Sequence, residues 1–305
     1  MSENLPNLFT TQFSTNLEMQ LQQQGSKLRG KVSTGNHVGK QASPVQQMQA
    51  IKARRPAGRF APNERNDTDF IRRWIFPVDG EIDQLIDSFD ELKTIVDPKS
   101  GYLTNAANAV GRDWDDLLIA NATAAVTLGT NVDALTTESF DTTKFRVADT
   151  FGSSAASGLS VAKLIETRRI FRKYHVDLET DPATLVIGSQ QESDLLNQVQ
   201  VVSTEFNDRP VLVDGRIVRF LGFDIVYSER LPTYTTTTRG VLAFVKSGLY
   251  LGIWKDTMNS ASKRTDLSGE PWDLYTQWSM GAARLQPGKL IQIACADSAG
   301  ADITP

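Results

Sequence analysis

The chain has 305 residues, 22% of them charged and 40% hydrophobic, with a formal net charge of −4. That length supports two subdomains with separate cores, and the composition is that of a soluble globular protein. No window approaches the eighteen apolar residues of a membrane span, and the N-terminal MSENLPNLFTTQF lacks the basic and apolar parts of a secretory signal.

Residues 1–24 are polar and glutamine-rich, yet Phe9, Phe13, Leu17 and Leu21 recur every four residues. This predicts a short amphipathic helix with a narrow apolar stripe. Alone in water such a helix is marginal, so it is expected to dock on another surface; a frayed tail is the alternative. Between Gly25 and Ile75, eleven Lys and Arg residues stand against three acids, a local charge of +8, while residues 76–305 carry −10. A basic limb on an acidic body is the pattern expected if copies dock limb to body, with Arg54, Arg55, Arg59 and Arg65 as contact residues. The flanks VQQMQAIKAR and DTDFIRRWIFPV predict the two strands of a long hairpin, with RPAGRFAPNERN at its tip. A lone ribbon is barely stable, and a neighbouring copy is its expected support.

An acidic lead-in follows, with Asp79, Glu81, Asp83, Asp87, Asp90 and Glu91. It reads as a solvated helix face or as the surface that receives the limb; it lacks the ligand spacing and glycine of a calcium loop. A long helix is predicted to open at Asp97-Pro98, with Asp97 as cap and Pro98 in the first turn. Tyr102, Ala106, Val110, Trp114 and Leu117/Leu118 recur at helical spacing over about seven turns. Trp114, Leu117 and Leu118 are expected to pack on a late strand holding Tyr275 and Trp278. Asp115 is expected on the solvated side, with Arg112, Asp113 and Asp116 pairing across the helix surface.

Residues 127–158 read as turns rich in Thr, Gly, Ser and Ala. Ser160 is predicted to cap a second helix with Val161, Leu164, Ile165 and Phe171 on one side. Its C-terminal half carries Arg168, Arg169, Arg172 and Lys173, either a solvated face that complements the helix dipole or a ligand site. ATLVIG then predicts a buried strand, Ser189 to Glu192 a capping box, and Asp214-Gly215 a hairpin turn. Tyr234–Gly240 forms a loop tip, and the last stretch gives two strands, or one bent strand, broken at Gln286-Pro287-Gly288.

No chemical site emerges. The two histidines, His37 and His175, have no metal-ligand spacing, and a single cysteine writes no zinc site. Cys295, in an apolar run, predicts buried packing and no internal disulfide. No G-x-S-x-G, Walker A loop or G-x-G-x-x-G follows a strand, and Gly188-Ser189 lacks the remaining features of a phosphate turn. No catalytic residue, metal or cofactor is assigned.

The order of parts carries a resemblance. The pieces are D-P-K-S-G-Y…A-x-x-A-x-G-R-x-x-D opening at Asp97, the run from Glu205 to Val226 (EFNDRPVLVDGRIVRFLGFDIV), and GAARLQPGKLIQI near the end. Taken together they resemble the major capsid proteins of tailed bacteriophages with the HK97-like fold. The resemblance implies an α+β fold with an N-terminal arm (1–35) and an extended E-loop (36–80) lying over a neighbour. It also implies a P-domain (81–178, completed by 255–285) and an A-domain (179–254, completed by 286–305). It implies self-assembly into hexamers and pentamers of an icosahedral head, scaffolding, portal and cement partners, non-specific double-stranded DNA on the inner face, and assembly in the bacterial cytoplasm. The lysine–asparagine cross-link of some members is not carried over to any position here. Two alternatives stand beside this reading: a nucleic-acid-binding protein using limb 25–75, where Phe60, Phe70 and Trp74 interleave with the bases, or another virion structural protein.

Overall fold

The computed structural model describes residues 22–42, 46–51, 53, 55, 68–86, 98–129, 135–198, 212–213, 216–235 and 237–297. In chain order the strands are β1 (Ser33–Asn36), β2 (Gln46–Met48), β3 (Phe70–Trp74), β4 (Val78–Ile86), β5 (Val126–Leu128) and β6 (Thr136–Glu138). They continue with β7 (Arg146–Val147), β8 (Ala183–Ile187), β9 (Leu212–Val213), β10 (Arg216–Ile217), β11 (Arg219–Phe220) and β12 (Phe223–Tyr227). The last are β13 (Thr233–Thr235), β14 (Thr238–Val245), β15 (Leu249–Lys263), β16 (Trp272–Arg284) and β17 (Leu290–Ala296). The helices are α1 (Pro98–Thr123), α2 (Thr142–Phe145), α3 (Val161–Lys173) and α4 (Ser189–Leu196).

The 26 residues of α1 begin at Pro98, whose fixed φ suits a first helical turn; Asp97 lies outside the described residues. Ala106, Val110, Trp114, Leu118 and Ala122 recur every fourth residue and are all buried. Tyr102, expected on this stripe, is instead exposed. The stripe lies against a sheet of order β1-β15-β16-β4, in which β1 runs parallel to β15 and the other neighbours are antiparallel. On β16, Leu274, Thr276, Trp278 and Met280 are buried, and the alternate residues are half-buried. Trp278 therefore faces the helix as expected, donating its indole N–H to Asp113 Oδ2 at 2.9 Å. Tyr275 does not: the period of two turns it to the opposite face. Strand β4 crosses Trp278 at Gly80, where an added Cβ would meet the indole at 2.4 Å.

A seven-stranded mixed sheet, β11-β12-β8-β14-β17-β7 with β13 on β14, forms the second layer. Strands β8 and β17 are buried at every residue, as is β14 from Gly240 to Val245; continuous apolar runs of this kind belong to strands covered on both faces. Helix α3 packs here with Leu164, Ile170 and Phe171 buried. Ser160 Oγ accepts from Lys163 N at 3.4 Å, the expected cap. Ile165, expected inside, is exposed, and Lys163 takes the inner position: its ammonium donates to the carbonyls of Ser157, Gly158 and Ala294 at 2.7, 2.9 and 3.1 Å. Burial lowers the Lys163 pKa, and the three carbonyls satisfy the donors that remain. The capping box of α4 is shifted by one residue: Gly188 is the N-cap, and Gln191 Oε1 accepts its N–H at 3.2 Å.

Strands β9 and β10 pair antiparallel, Val213 opposite Arg216, while the Asp214-Gly215 turn expected between them lies outside the described residues. The break at 286–288 separates β16 from β17, which join different sheets. A small sheet, β2-β3-β5-β6, completes the fold. One core cluster runs from Val110 of α1 through both larger sheets to Cys295.

Candidate inter-subunit surfaces

Asp79, Glu81 and Asp83 alternate on β4 with Gly80, Ile82 and Gln84, and it is the carboxylates that are exposed. The helix-face reading of this segment is thus replaced by a strand, paired among the described residues on one side only, to β16. Across the same face stand Tyr275, Gln277 and Ser279 of β16, with Met258 and Ser260 of β15 beyond them. Leu85 and Met258 add exposed apolar surface. Tyr275 donates its hydroxyl to Glu81 Oε2 at 2.8 Å, which pushes the phenol pKa up. A hydrogen bond to Asp273, then burial and the charge of Asp273, raise the Asp83 carboxyl, while Arg264 pulls the other way. Asp87 lies outside the described residues.

The limb hairpin forms at its root, with Gln46↔Arg72, Gln47↔Ile71 and Met48↔Phe70 as antiparallel partners. Contrary to expectation, its own chain supports it: β3 also pairs with β5. Arg73 is buried, donating from Nη2 to Glu138 Oε2 at 2.8 Å and from Nη1 to the Arg284 carbonyl at 3.4 Å. Gln47 Nε2 donates to the Leu285 carbonyl at 2.6 Å, and Trp74 Nε1 to the Gly129 carbonyl at 3.1 Å. Beneath this joint Arg284 is fully buried and stacked 5.0 Å over Phe140; burial, then Arg73, lowers its pKa to about 10.

The limb's charge is also partly spent within the chain. Arg29 pairs with Asp256 at 2.8 Å, Lys31 with Asp224 at 3.5 Å, and Lys27 donates to the Tyr227 carbonyl. Arg55 is exposed, as are Met48, Ile51 and Phe70 on the same hairpin. Arg54, Arg59 and Arg65 lie outside the described residues, and so do Phe9, Phe13, Leu17 and Leu21.

The contact that sequence reasoning missed is at Asp115. It is fully buried, not solvated, and collects the segment at the start of the limb. Oδ1 accepts from Ser26 Oγ at 2.6 Å and Leu28 N at 3.1 Å, and Oδ2 from Gln23 Nε2 at 2.5 Å and Lys27 N at 3.0 Å. One turn earlier, Gly111 lets the backbone of Gly25 approach so closely that an added Cβ would sit 2.5 Å from it. Arg112 donates to Gln22 and to the Gln23 carbonyl, Asp116 pairs with Arg230, and Arg29 stacks 4.2 Å over Trp114. The charged cluster 112–116 therefore holds other parts of the chain instead of pairing along its own helix. The visible clue was Gly111, a helix-weakening residue set four before a carboxylate.

His37 lies between Tyr250 and Trp254, with Nε2 2.9 Å from the Tyr250 hydroxyl, and burial lowers its pKa. Cys295 is fully buried, which pushes its thiol up to about 12. Among the described residues, no group of three His, Cys, Asp or Glu is placed to hold a metal ion, and no helix is long and apolar enough to cross a membrane.

The phage capsid protein family matches residues 5–297. No curated protein sequence matches the chain. Among solved structures, the capsid of cyanophage P-SCSP1u superposes with a TM-score of 0.73 at 14% identity, over 98% of this chain and 96% of that one. A mycobacteriophage Che8 chain gives 0.65 at 16% identity, covering 94% and 97%. The capsid of a native GTA particle gives 0.68 at 12%, covering 96% and 97%. These likenesses carry the fold, α+β and HK97-like, and the family match carries the role. The chain belongs to the phage capsid protein family and is a structural subunit of the virion head shell.

Proposed function

We propose that copies of this subunit are joined by the basic limb of one, through Arg54, Arg55, Arg59 and Arg65, laid on the acidic strand of the next, at Asp79, Glu81, Asp83 and Asp87. The observation that supports this reading is the row of exposed carboxylates on a strand whose second edge is free among the described residues, together with the exposure of Arg55 on the limb. Exposed ion pairs are worth only about 0–1 kcal/mol each, but a shell repeats them in every copy. In this assignment residues 1–35 are the N-terminal arm, with Phe9, Phe13, Leu17 and Leu21 docked on a neighbour or on the inner shell, and 36–80 are the E-loop. The P-domain combines 81–178 with 255–285, and the A-domain 179–254 with 286–305; the packing of α1 on β16 and the pairing of β14 with β17 support both long-range completions. Hexamers and pentamers then close an icosahedral head in the bacterial cytoplasm, with scaffolding, portal and cement proteins as partners and double-stranded DNA held non-specifically inside. No turnover chemistry is part of this role.

Size exclusion and electron microscopy of the purified protein test it. Large closed particles should form without nucleic acid, and deletion of residues 1–24 should leave soluble protein that forms irregular shells or none. A protein that stays monomeric until nucleic acid is added would favour the nucleic-acid-binding reading instead.

A further inference from the structure

Two arginines of α3 play no part in the contacts above. Arg169 is paired with Glu166, at 2.7 Å through Nε and 2.5 Å through Nη2. Arg168 and Arg172, one helical turn apart, instead line a cavity of about 280 Å³ together with Arg219 of β11, Val176–Glu179 and the Leu221–Gly222 turn. Like charges at i and i+4 repel, and a third guanidinium on the same wall adds to the cost. The negative end of the α3 dipole offsets part of this, but a half charge does not balance three.

The acids in the lining, Asp177 and Glu179, are two carboxylates against three guanidiniums, so the balance is partial. The Asp177 carboxylate is held by its own loop, Oδ1 accepting from Glu179 N at 3.0 Å and Oδ2 from Thr180 Oγ at 2.6 Å. These bonds hold the Asp177 carboxyl below its usual range, the Thr180 hydroxyl contributing most. Glu179 is exposed, and Arg219 reaches Asp224 only at 3.6 Å, a carboxylate it shares with Lys31. Among the described residues, Arg168 Nε is buried without a hydrogen-bond partner. A buried guanidinium N–H left in that state is costly, and the group has the fork geometry that takes an oxyanion.

We propose that this cavity is an oxyanion site, taking a phosphate-class anion between Arg168, Arg172 and Arg219. The volume suffices: a water takes about 30 Å³ of liquid volume, so a tetrahedral anion fits with solvent to spare. The site is separate from the acidic face of β4 and does not depend on the limb contact proposed above.

Calorimetric titration of the purified full-length protein with inorganic phosphate, at fixed ionic strength and against chloride, tests it. Saturable binding to phosphate and not to chloride is expected. Arg172→Gln, at an exposed position that leaves the fold intact, and Arg219→Gln should each weaken it about tenfold, the effect of one charge-assisted hydrogen bond. Arg169→Gln, on the same helix but tied to Glu166, should change it less than about twofold. Absence of saturable binding, an equal response to chloride, or equal weakening by Arg169→Gln and Arg172→Gln would overturn the proposal.

Discussion

The two large sheets solve opposite problems. In the seven-stranded sheet β8 and β17 are buried at every residue, and the strands read as unbroken apolar runs. In the four-stranded sheet only the face toward α1 is closed. Beyond Trp254, β15 is largely exposed, and β4 presents carboxylates to solvent. Strands buried on both faces concentrate apolar area, the main source of folding stability; strands with one open face offer backbone edges and charge to another chain. Substitutions in the seven-stranded sheet should therefore unfold the subunit, and those on the open face of the four-stranded sheet should spare it.

The largest effect belongs to the seven-stranded sheet. Phe244→Ala on β14 should cost about 4 kcal/mol in denaturant unfolding, since the ring is 1% exposed. A loss below about 1 kcal/mol would remove the contrast between the sheets. Asp115→Ala comes next, at about 3 kcal/mol, because four donors lose a buried charged acceptor. Amide exchange at Lys27 and Leu28 should accelerate in this variant before that of the seven-stranded sheet; uniform acceleration would mean that Asp115 serves the whole fold and not the arm.

A smaller effect of opposite sign is expected at His175. It closes α3 with φ +58°, and His175 N and Val176 N donate to the carbonyls of Arg172 and Phe171, both at 3.0 Å. Glycine is the residue suited to this left-handed position, so His175→Gly should raise stability by about 1 kcal/mol. The smallest effect is local. At the tip of the β15–β16 hairpin, Arg264 bonds to Asp266 at 2.7 Å and holds its carboxyl down to about 2. Because this pKa is depressed, the stabilisation is complete above the ordinary carboxylate value of about 3.9 and is lost as pH falls through about 2. An NMR titration should show Asp266 and the tip amides changing together, with the seven-stranded sheet unaffected.

Much of this was legible in the sequence where one local rule decided the outcome. Pro98 and the four-residue apolar stripe marked α1, Ser160 marked α3, and Asp214-Gly215 marked its hairpin. Reading failed where distant groups decided. Nothing near Lys163 announces that the carbonyls of Ser157, Gly158 and Ala294 will receive its ammonium. Asp115 looked like one more surface charge because its donors lie about ninety residues upstream. The period of two in Asp79, Glu81 and Asp83 was present, but Gly80 interrupts the apolar half of the alternation, and only the pairing with β16 shows why: Trp278 occupies the space a side chain would need. In the docking proposed above, the partners of Arg54, Arg55, Arg59 and Arg65 belong to another copy, which no reading of one chain contains.

The proposed docking of the limb on the acidic strand is tested most directly by a charge swap. Arg54→Glu with Arg55→Glu, and separately Asp79→Lys with Glu81→Lys and Asp83→Lys, should each impair particle formation while leaving the melting temperature of the unassembled subunit nearly unchanged. Combining the two sets restores opposite charge across the contact, and regular particles seen by electron microscopy should return. Regular particles from either set alone, or a combined variant no better than its parents, would contradict the docking.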